Sequence, residues 1–252
     1  MALVDNQVAY WKLDGNSNDA VGSNNGTDTG ITYSTSDGKI NQGANFNAIT
    51  DKIAFPSSSA FRLTSNYSIS VWYKATSCVG SADIWGVYEP DTGGQKGYGL
   101  FLSGTTFFFD IYYAGGSGRV TWSYANAQNG SWHHLVLTYD GSTAHLYVDG
   151  NQQGTGQAIS STAAYAGNEY PHIGPHTWGG GTTDGFIGSI DELGFWNKVL
   201  SSTEVEELYN SGAAKQYPYT SIKRVAGVLS GSISKIAGQI MTNVKKIAGV
   251  SS

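Results

Sequence analysis

The sequence is short of charge and of the residues that build metal clusters or disulfide frameworks. Asp, Glu, Lys and Arg make up 13% of its 252 residues, against about 25% in an ordinary globular chain. There are only 14 Lys and Arg, and the net charge is −5, so no basic footprint for nucleic acid is present. The single cysteine, Cys78, excludes an intrachain disulfide and a Cys-rich metal site. It is expected to be a small buried or half-buried filler. No run approaches the ~18 apolar residues of a membrane span. Residues 1–8 (MALVDNQV) lack a basic stretch followed by an apolar one, so no secretory leader is expected. Methionine (2) and proline (5) are scarce, while glycine (34), Tyr (16), Phe (9) and Trp (7) are abundant. Many glycines and aromatics with little charge describe a β-protein rich in turns, not a helical bundle.

Short apolar runs alternate with Gly, Asn, Ser and Asp clusters up to about residue 216. Such runs include 8–13 (VAYWKL), 68–74 (SISVWYK), 99–102 (GLFL), 107–113 (FFFDIYY), 134–139, 144–148 and 186–196. They are β-branched or aromatic and often have period two, which is the strand signature. In 68–74, Ile69, Val71 and Tyr73 can face a core while Ser70, Trp72 and Lys74 face away. Asp140-Gly141 and Asp149-Gly150 are hairpin signals, because glycine takes positive φ without a side-chain clash. The fold class expected is all-β, a β-sandwich or jelly roll.

One helix interrupts the strands, near residue 205. Ser201 or Ser202 is the expected N-cap, acids fill the first turn, and Gly212 is the expected stop. Val205, Leu208 and Tyr209 form its apolar side.

The composition changes at Pro218, which gives two expected domains, 1–216 and 217–252. The segments 222–228 (IKRVAGV), 233–239 (ISKIAGQ) and 244–250 (VKKIAGV) start 11 positions apart. Ile222, Val225, Leu229, Ile233, Ile236, Ile240, Val244 and Ile247 step by 3, 4, 4, 3, 4, 4 and 3. That period of about 3.67 suits a helix with slight right-handed supercoiling. Gly227, Gly238 and Gly249 weaken a helix, and short β-turn units stacked between chains are the alternative. Either way the stripe is too small to bury alone, so self-association, as a trimer, or docking on a capsid or other particle shell is expected. The tail has five basic residues and no acid.

Several phrases together resemble laminin G-like domains of the concanavalin A-type jelly-roll family. They are 8–16 (VAYWKLDGN) with Asn18-Asp19 and 25–27 (NGT), then 43–46 (GANF) followed by 52–55 (KIAF), which looks like the family's second hairpin. The others are 68–74, 131–141 (SWHHLVLTYDG) with 146–150 (LYVDG), and 188–200 (GSIDELGFWNKVL) with the helix that follows. In this order they span nearly all of 8–212. The resemblance implies two antiparallel sheets face to face, with the first and last strands side by side.

The resemblance and ligand chemistry meet in Asp14, Asn16, Asp19 and Asp191, a candidate structural calcium site, since calcium takes several carboxylate, amide and carbonyl oxygens. The alternative is a set of Asx turns. Glycoside hydrolases on this jelly roll carry Glu-x-Asp-x-x-Glu or Glu-x-Asp-x-Glu on one strand. None of the six Glu (89, 169, 192, 204, 206 and 207) begins such a motif. Asp191 and Glu192, adjacent in a strand, are expected on opposite faces. No enzyme is expected, and His133 and His134 read as structural.

The 168–181 loop (NEYPHIGPHTWGGG) is the candidate ligand site. Tyr170 and Trp178 can stack on a sugar ring, while Asn168, His172 and His176 supply hydrogen bonds. The expected function is a surface-displayed binding module for a glycan or surface receptor, a virion decoration or fibre protein anchored by its tail. The alternative is a secreted or cell-surface carbohydrate-binding module.

Overall fold

The computed structural model describes residues 2–62, 66–88, 96–113, 116–159, 163–165, 169–178 and 182–219. The chain divides into two compact units, Met1–Tyr217 and Pro218–Ser252. The repeats beginning at 222, 233 and 244, and with them the expected oligomerising stripe, lie outside the described residues.

In chain order the strands are β1 (Gln7–Trp11), β2 (Thr27–Thr29), β3 (Thr32–Ser34), β4 (Gly43–Phe46), β5 (Lys52–Ala54), β6 (Tyr67–Val79), β7 (Ala82–Tyr88), β8 (Gly97–Ser103) and β9 (Thr106–Tyr113). There follow β10 (Gly116–Ser123), β11 (His133–Tyr139), β12 (Thr143–Val148), β13 (Asn151–Gln152), β14 (Gln157–Ala158), β15 (Tyr170–Gly174), β16 (His176–Trp178) and β17 (Thr182–Trp196). They form two antiparallel sheets. One runs β13-β12-β11-β6-β17-β4-β3, with β1 and β16 also paired to β17 and β14 to β12; the other runs β10-β9-β8-β7-β15-β5-β2.

The alternation read in β6 decides its two faces. Tyr67, Ile69, Val71 and Tyr73 join the core between the sheets. There, Trp11, Phe55, Trp85 and Phe195 form a contiguous aromatic centre, with Trp11 4.3 Å from Phe55 and 5.6 Å from Trp85 between ring centroids. The opposite face of β6 presents Trp72, which is nonetheless buried. Its cover is the helix α1 (Ser202–Tyr209), whose Tyr209 stacks at 5.8 Å on Trp72, with His134 stacked 5.0 Å from the same indole.

Ser201 is the cap: its hydroxyl accepts from Glu204 N while Glu204 answers the Ser201 N–H. The helix is capped two residues before the expected glycine. Asn210 takes the left-handed conformation (φ 49°), and Gly212 falls in the 3-10 turn that follows. Asn tolerates that conformation through its short polar side chain.

β1 lies against β17, as the resemblance implied. One expectation needs correction. β4 and β5 are not a hairpin, since β4 pairs with β3 and β17 while β5 pairs with β2 and β15 in the other sheet. The chain turns the corner because Asp51 Oδ2 accepts from Asn47 N and Ala48 N at 2.7 and 2.9 Å.

Candidate functional site

The seven-stranded sheet is built for two buried faces. Its core side carries Ile84, Val87, Leu100, Leu102, Phe107, Phe109 and Ile111. Its other side holds a second apolar cluster of Tyr88, Phe101 and Tyr112, with Phe108 packed against it. Cross-strand partners share a face, so the register gives this outer face three parallel rows. The middle row crosses every strand of the sheet: Arg119, Asp110, Gly99, Gly86, His172, Ala54 and Thr27. One flanking row is Ser117, Tyr112, Gly97, Tyr88 and Tyr170, and the other is Thr121, Phe108, Phe101, Asp83 and Gly174.

The small residues of the middle row make room for the large ones beside it. A Cβ on Gly99 would sit 1.6 Å from Tyr88 Oη, and one on Gly86 2.5 Å from Tyr88 Cε2 and 2.9 Å from His172 Cε1. Tyr88 therefore lies across the trough, and its ring contacts Tyr112, Phe101 and His172.

The ionisable groups on this face are tied down in pairs. His172 Nε2 and Asp83 Oδ2 are 3.1 Å apart and both residues are fully buried. Burial pushes the Asp83 carboxyl above its usual range, and the His172 hydrogen bond offsets part of that rise. Asp110 accepts Arg119 Nε at 2.7 Å, Arg119 Nη2 at 2.5 Å and Tyr112 Oη at 2.8 Å. This bidentate bond holds the guanidinium strongly protonated.

Solvent reaches the two ends of the rows. The Arg119 side chain is 55% exposed and lies over the Phe108 ring at 4.9 Å. At the other end, Lys52 lies 5.9 Å over the half-buried Tyr170 ring, which contacts His172 at 5.2 Å.

Of the residues expected to bind ligand, the structure brings Tyr170 and His172 together, in a strand and not in a loop. β15 sits between β7 and β5. Pro171 masked it in the sequence, because proline normally argues against an inner strand; here its carbonyl accepts from Phe55 N at 2.8 Å. His176 and Trp178 fall on β16, against β17, and their side chains lie outside the described part, as does Asn168. The sequence reading missed Asp83, Tyr88, Asp110, Tyr112 and Arg119. The signal was available: β7, β8 and β9 carry large or ionisable residues at both parities, a pattern that one-sided strands lack.

The four expected calcium ligands do not form one set. Asp19 Oδ1 accepts from Tyr10 N and Val21 N, both at 3.0 Å, and its Oδ2 accepts from Asn24 N and Nδ2 at 3.1 and 2.9 Å. Asn16 caps Asn18 N at 2.9 Å. Asp14 and Asp191 instead share the 39–42 segment: Asp191 Oδ2 accepts from Lys39 N and Ile40 N at 2.8 and 2.9 Å, and Asp14 Oδ1 from Gln42 N at 3.0 Å. Among the described residues no group of three or more His, Cys, Asp and Glu is arranged to hold a metal ion. Oxygens already facing N–H donors do not fit a calcium ion, which needs their lone pairs.

Asp191 and Glu192 depart from strict alternation. β17 is bulged between Asp191 and Gly194, and Glu192 takes a left-handed φ of 53°. Glu192 Oε2 accepts from Tyr10 Oη, and Oε1 accepts from Gln216 Nε2 at 2.6 Å. His133 and His134 have structural partners. His133 Nδ1 is 2.7 Å from Asp149 Oδ2, and burial holds the His134 imidazole neutral, with its pKa lowered to about 3. The Cys78 thiol is half-buried and pushed up to about 12 by burial.

Comparison with known proteins agrees with this architecture. A 107-residue stretch, 40% of the chain, is 28% identical to the sushi, von Willebrand factor type A, EGF and pentraxin domain-containing protein 1 of Rattus norvegicus. The chain spans only 3% of that relative's length. Among solved structures, the binding domain of Paraclostridial mosquitocidal protein 1 superposes with a TM-score of 0.65 at 16% identity, over 82% of this chain and 52% of that one. Domain 4 of AbnA, a GH43 extracellular arabinanase from Geobacillus stearothermophilus, solved with arabinotriose, superposes with a TM-score of 0.56 at 22% identity. That match covers 83% of this chain and 98% of the other. At these identities the likeness is one of fold. The sandwich, the β1–β17 pairing and the capped helix after the last strand sit with a match over residues 46–206 to the laminin G-like pattern, and the chain belongs to the concanavalin A-like lectin/glucanases superfamily.

Proposed function

We propose that the chain is a non-enzymatic binding module and that the outer face of its seven-stranded sheet holds a glycan. The observation that carries this reading is the aromatic rim of that face, half-buried Tyr170 beside Lys52 and half-buried Phe108 under the exposed Arg119, on a buried floor of Tyr112, Tyr88 and Phe101. Sugar rings stack their apolar faces on such side chains, while a few fixed polar groups set orientation. The half-exposed Tyr170 with Lys52 and the exposed Arg119 with Phe108 are the first contacts. Glycoside hydrolysis needs two carboxyls free to act as acid and as nucleophile or base. Of the described carboxyls of the face, Asp110 is closed by Arg119 and Tyr112, and Asp83, paired through one oxygen with His172, is fully buried, which supports binding without turnover.

The 217–252 segment, with its 11-residue repeat, is proposed to attach the module to a larger assembly, as a virion decoration or fibre protein at a virion surface, through self-association or a particle shell. A secreted or cell-surface carbohydrate-binding module is the second reading. The 98% coverage of domain 4 of an arabinanase, solved with arabinotriose, favours it and makes arabino-oligosaccharides the first probe.

The test is a glycan array probed with the full chain and with Tyr170→Ala. Binding that Tyr170→Ala lowers about tenfold or more, a loss of about 1.4 kcal/mol, supports the face. Binding untouched by that change overturns it.

A further inference from the structure

The rim where the first and last strands meet gathers three carboxylates: Asp14, Asp191 and Glu192, the last two buried. Such a cluster calls for positive partners or donors. We infer that the side-chain amide of Gln216 occupies the seat a bridging cation would take here, so that the domain folds without calcium.

Gln216 Nε2 lies 2.6 Å from Glu192 Oε1 and 3.0 Å from Asp14 Oδ2. A calcium ion joining two carboxylates would lie 2.3–2.6 Å from each of them, so the amide nitrogen stands close to that point. Its two hydrogens answer the two acids, one each. The remaining oxygens are answered by the chain itself. Asp14 Oδ2 also accepts from Asn41 Nδ2 at 3.2 Å, Asp191 Oδ1 accepts from Glu192 N at 3.0 Å, and Glu192 Oε2 accepts from Tyr10 Oη.

The amide is held in place by its neighbours. Tyr10 Oη lies 3.4 Å from the Lys215 carbonyl, the Tyr217 ring lies 5.8 Å from the Tyr10 ring, and Asn210 Nδ2 donates to Ala214 O at 2.8 Å. Lys215 Nζ pairs with Glu207 of α1. The residue that closes the rim therefore comes from beyond the matched region 46–206, on the segment that leads into the repeats. The inference is independent of the glycan reading.

The experiment is thermal melting of the full chain in chelator and in excess calcium, with Gln216→Ala and Gln216→Glu beside the wild type. The wild-type melting temperature is expected to be the same in both solutions. Gln216→Ala should melt a few degrees lower, and Gln216→Glu lower still in chelator, because it sets a third carboxylate against Asp14 and Glu192. A wild-type melting temperature raised by calcium would overturn the inference. So would a Gln216→Ala protein as stable as the wild type, or a Gln216→Glu protein that melts in chelator no lower than Gln216→Ala.

Discussion

Neutralising Glu192 should flatten the dependence of stability on pH. Burial, with the Asp14 charge nearby, pushes the Glu192 carboxyl up to about 7 from an ordinary 4.5, against the lowering effect of the Tyr10 and Gln216 hydrogen bonds. The folded state thus holds this proton more tightly than the unfolded chain does. Stability from this group is fully present below pH 4.5 and is lost as pH rises through 7. Between pH 5 and pH 8 the loss is about 2.5 kcal/mol, taking about 1.36 kcal/mol per pKa unit. Glu192→Gln keeps both neighbours satisfied, since its amide can accept from Gln216 and donate to Tyr10 Oη, which faces the Lys215 carbonyl. Urea unfolding at pH 5 and pH 8, wild type beside Glu192→Gln, measures the difference. The wild type should lose about 2 to 3 kcal/mol more than the variant over that interval. Parallel losses would refute the claim that Glu192 is protonated in the folded rim near neutrality.

Two further outcomes follow from packing and from the sequence repeat. Gly99→Ala should destabilise the sandwich by about 1–3 kcal/mol, because the new Cβ meets Tyr88 Oη; Tyr88→Phe in the same chain should recover part of that loss in denaturant unfolding. Residues 1–217 alone, which form one compact unit, should be monomeric by light scattering, while the full chain should be oligomeric or should bind a particle.

How far the sequence disclosed all this depended on what each residue's neighbours were. β6 and the capped helix were legible because alternation and a Ser-x-x-Glu cap are local signals. The β1–β17 pairing came from the family resemblance. β15 was hidden by Pro171, whose own carbonyl accepts from Phe55 N, a tertiary bond that no local rule anticipates. The outer face of the seven-stranded sheet was half visible. The aromatic run 107–113 read as a strand, but the meaning of Gly86 and Gly99 rests on a Tyr88 ring that crosses from one strand to its neighbours. Asp14 and Asp191 were placed together through the resemblance, but Glu192 was not joined to them. That Asp14 and Glu192 share Gln216, about 200 and 24 residues away in sequence, is a product of tertiary closure.

The central claim is that the aromatic face of the seven-stranded sheet is the binding face and performs no chemistry on its ligand. Its most direct test is a titration of the isotope-labelled protein with the best array oligosaccharide, followed by amide and aromatic NMR shifts. The account predicts shifts concentrated at Lys52, Tyr170, Phe108 and Arg119, with the oligosaccharide signals unchanged over the hours of the experiment. Shifts gathered instead on the other sheet, around Lys74 and Trp132, or the appearance of cleaved sugar, would contradict it.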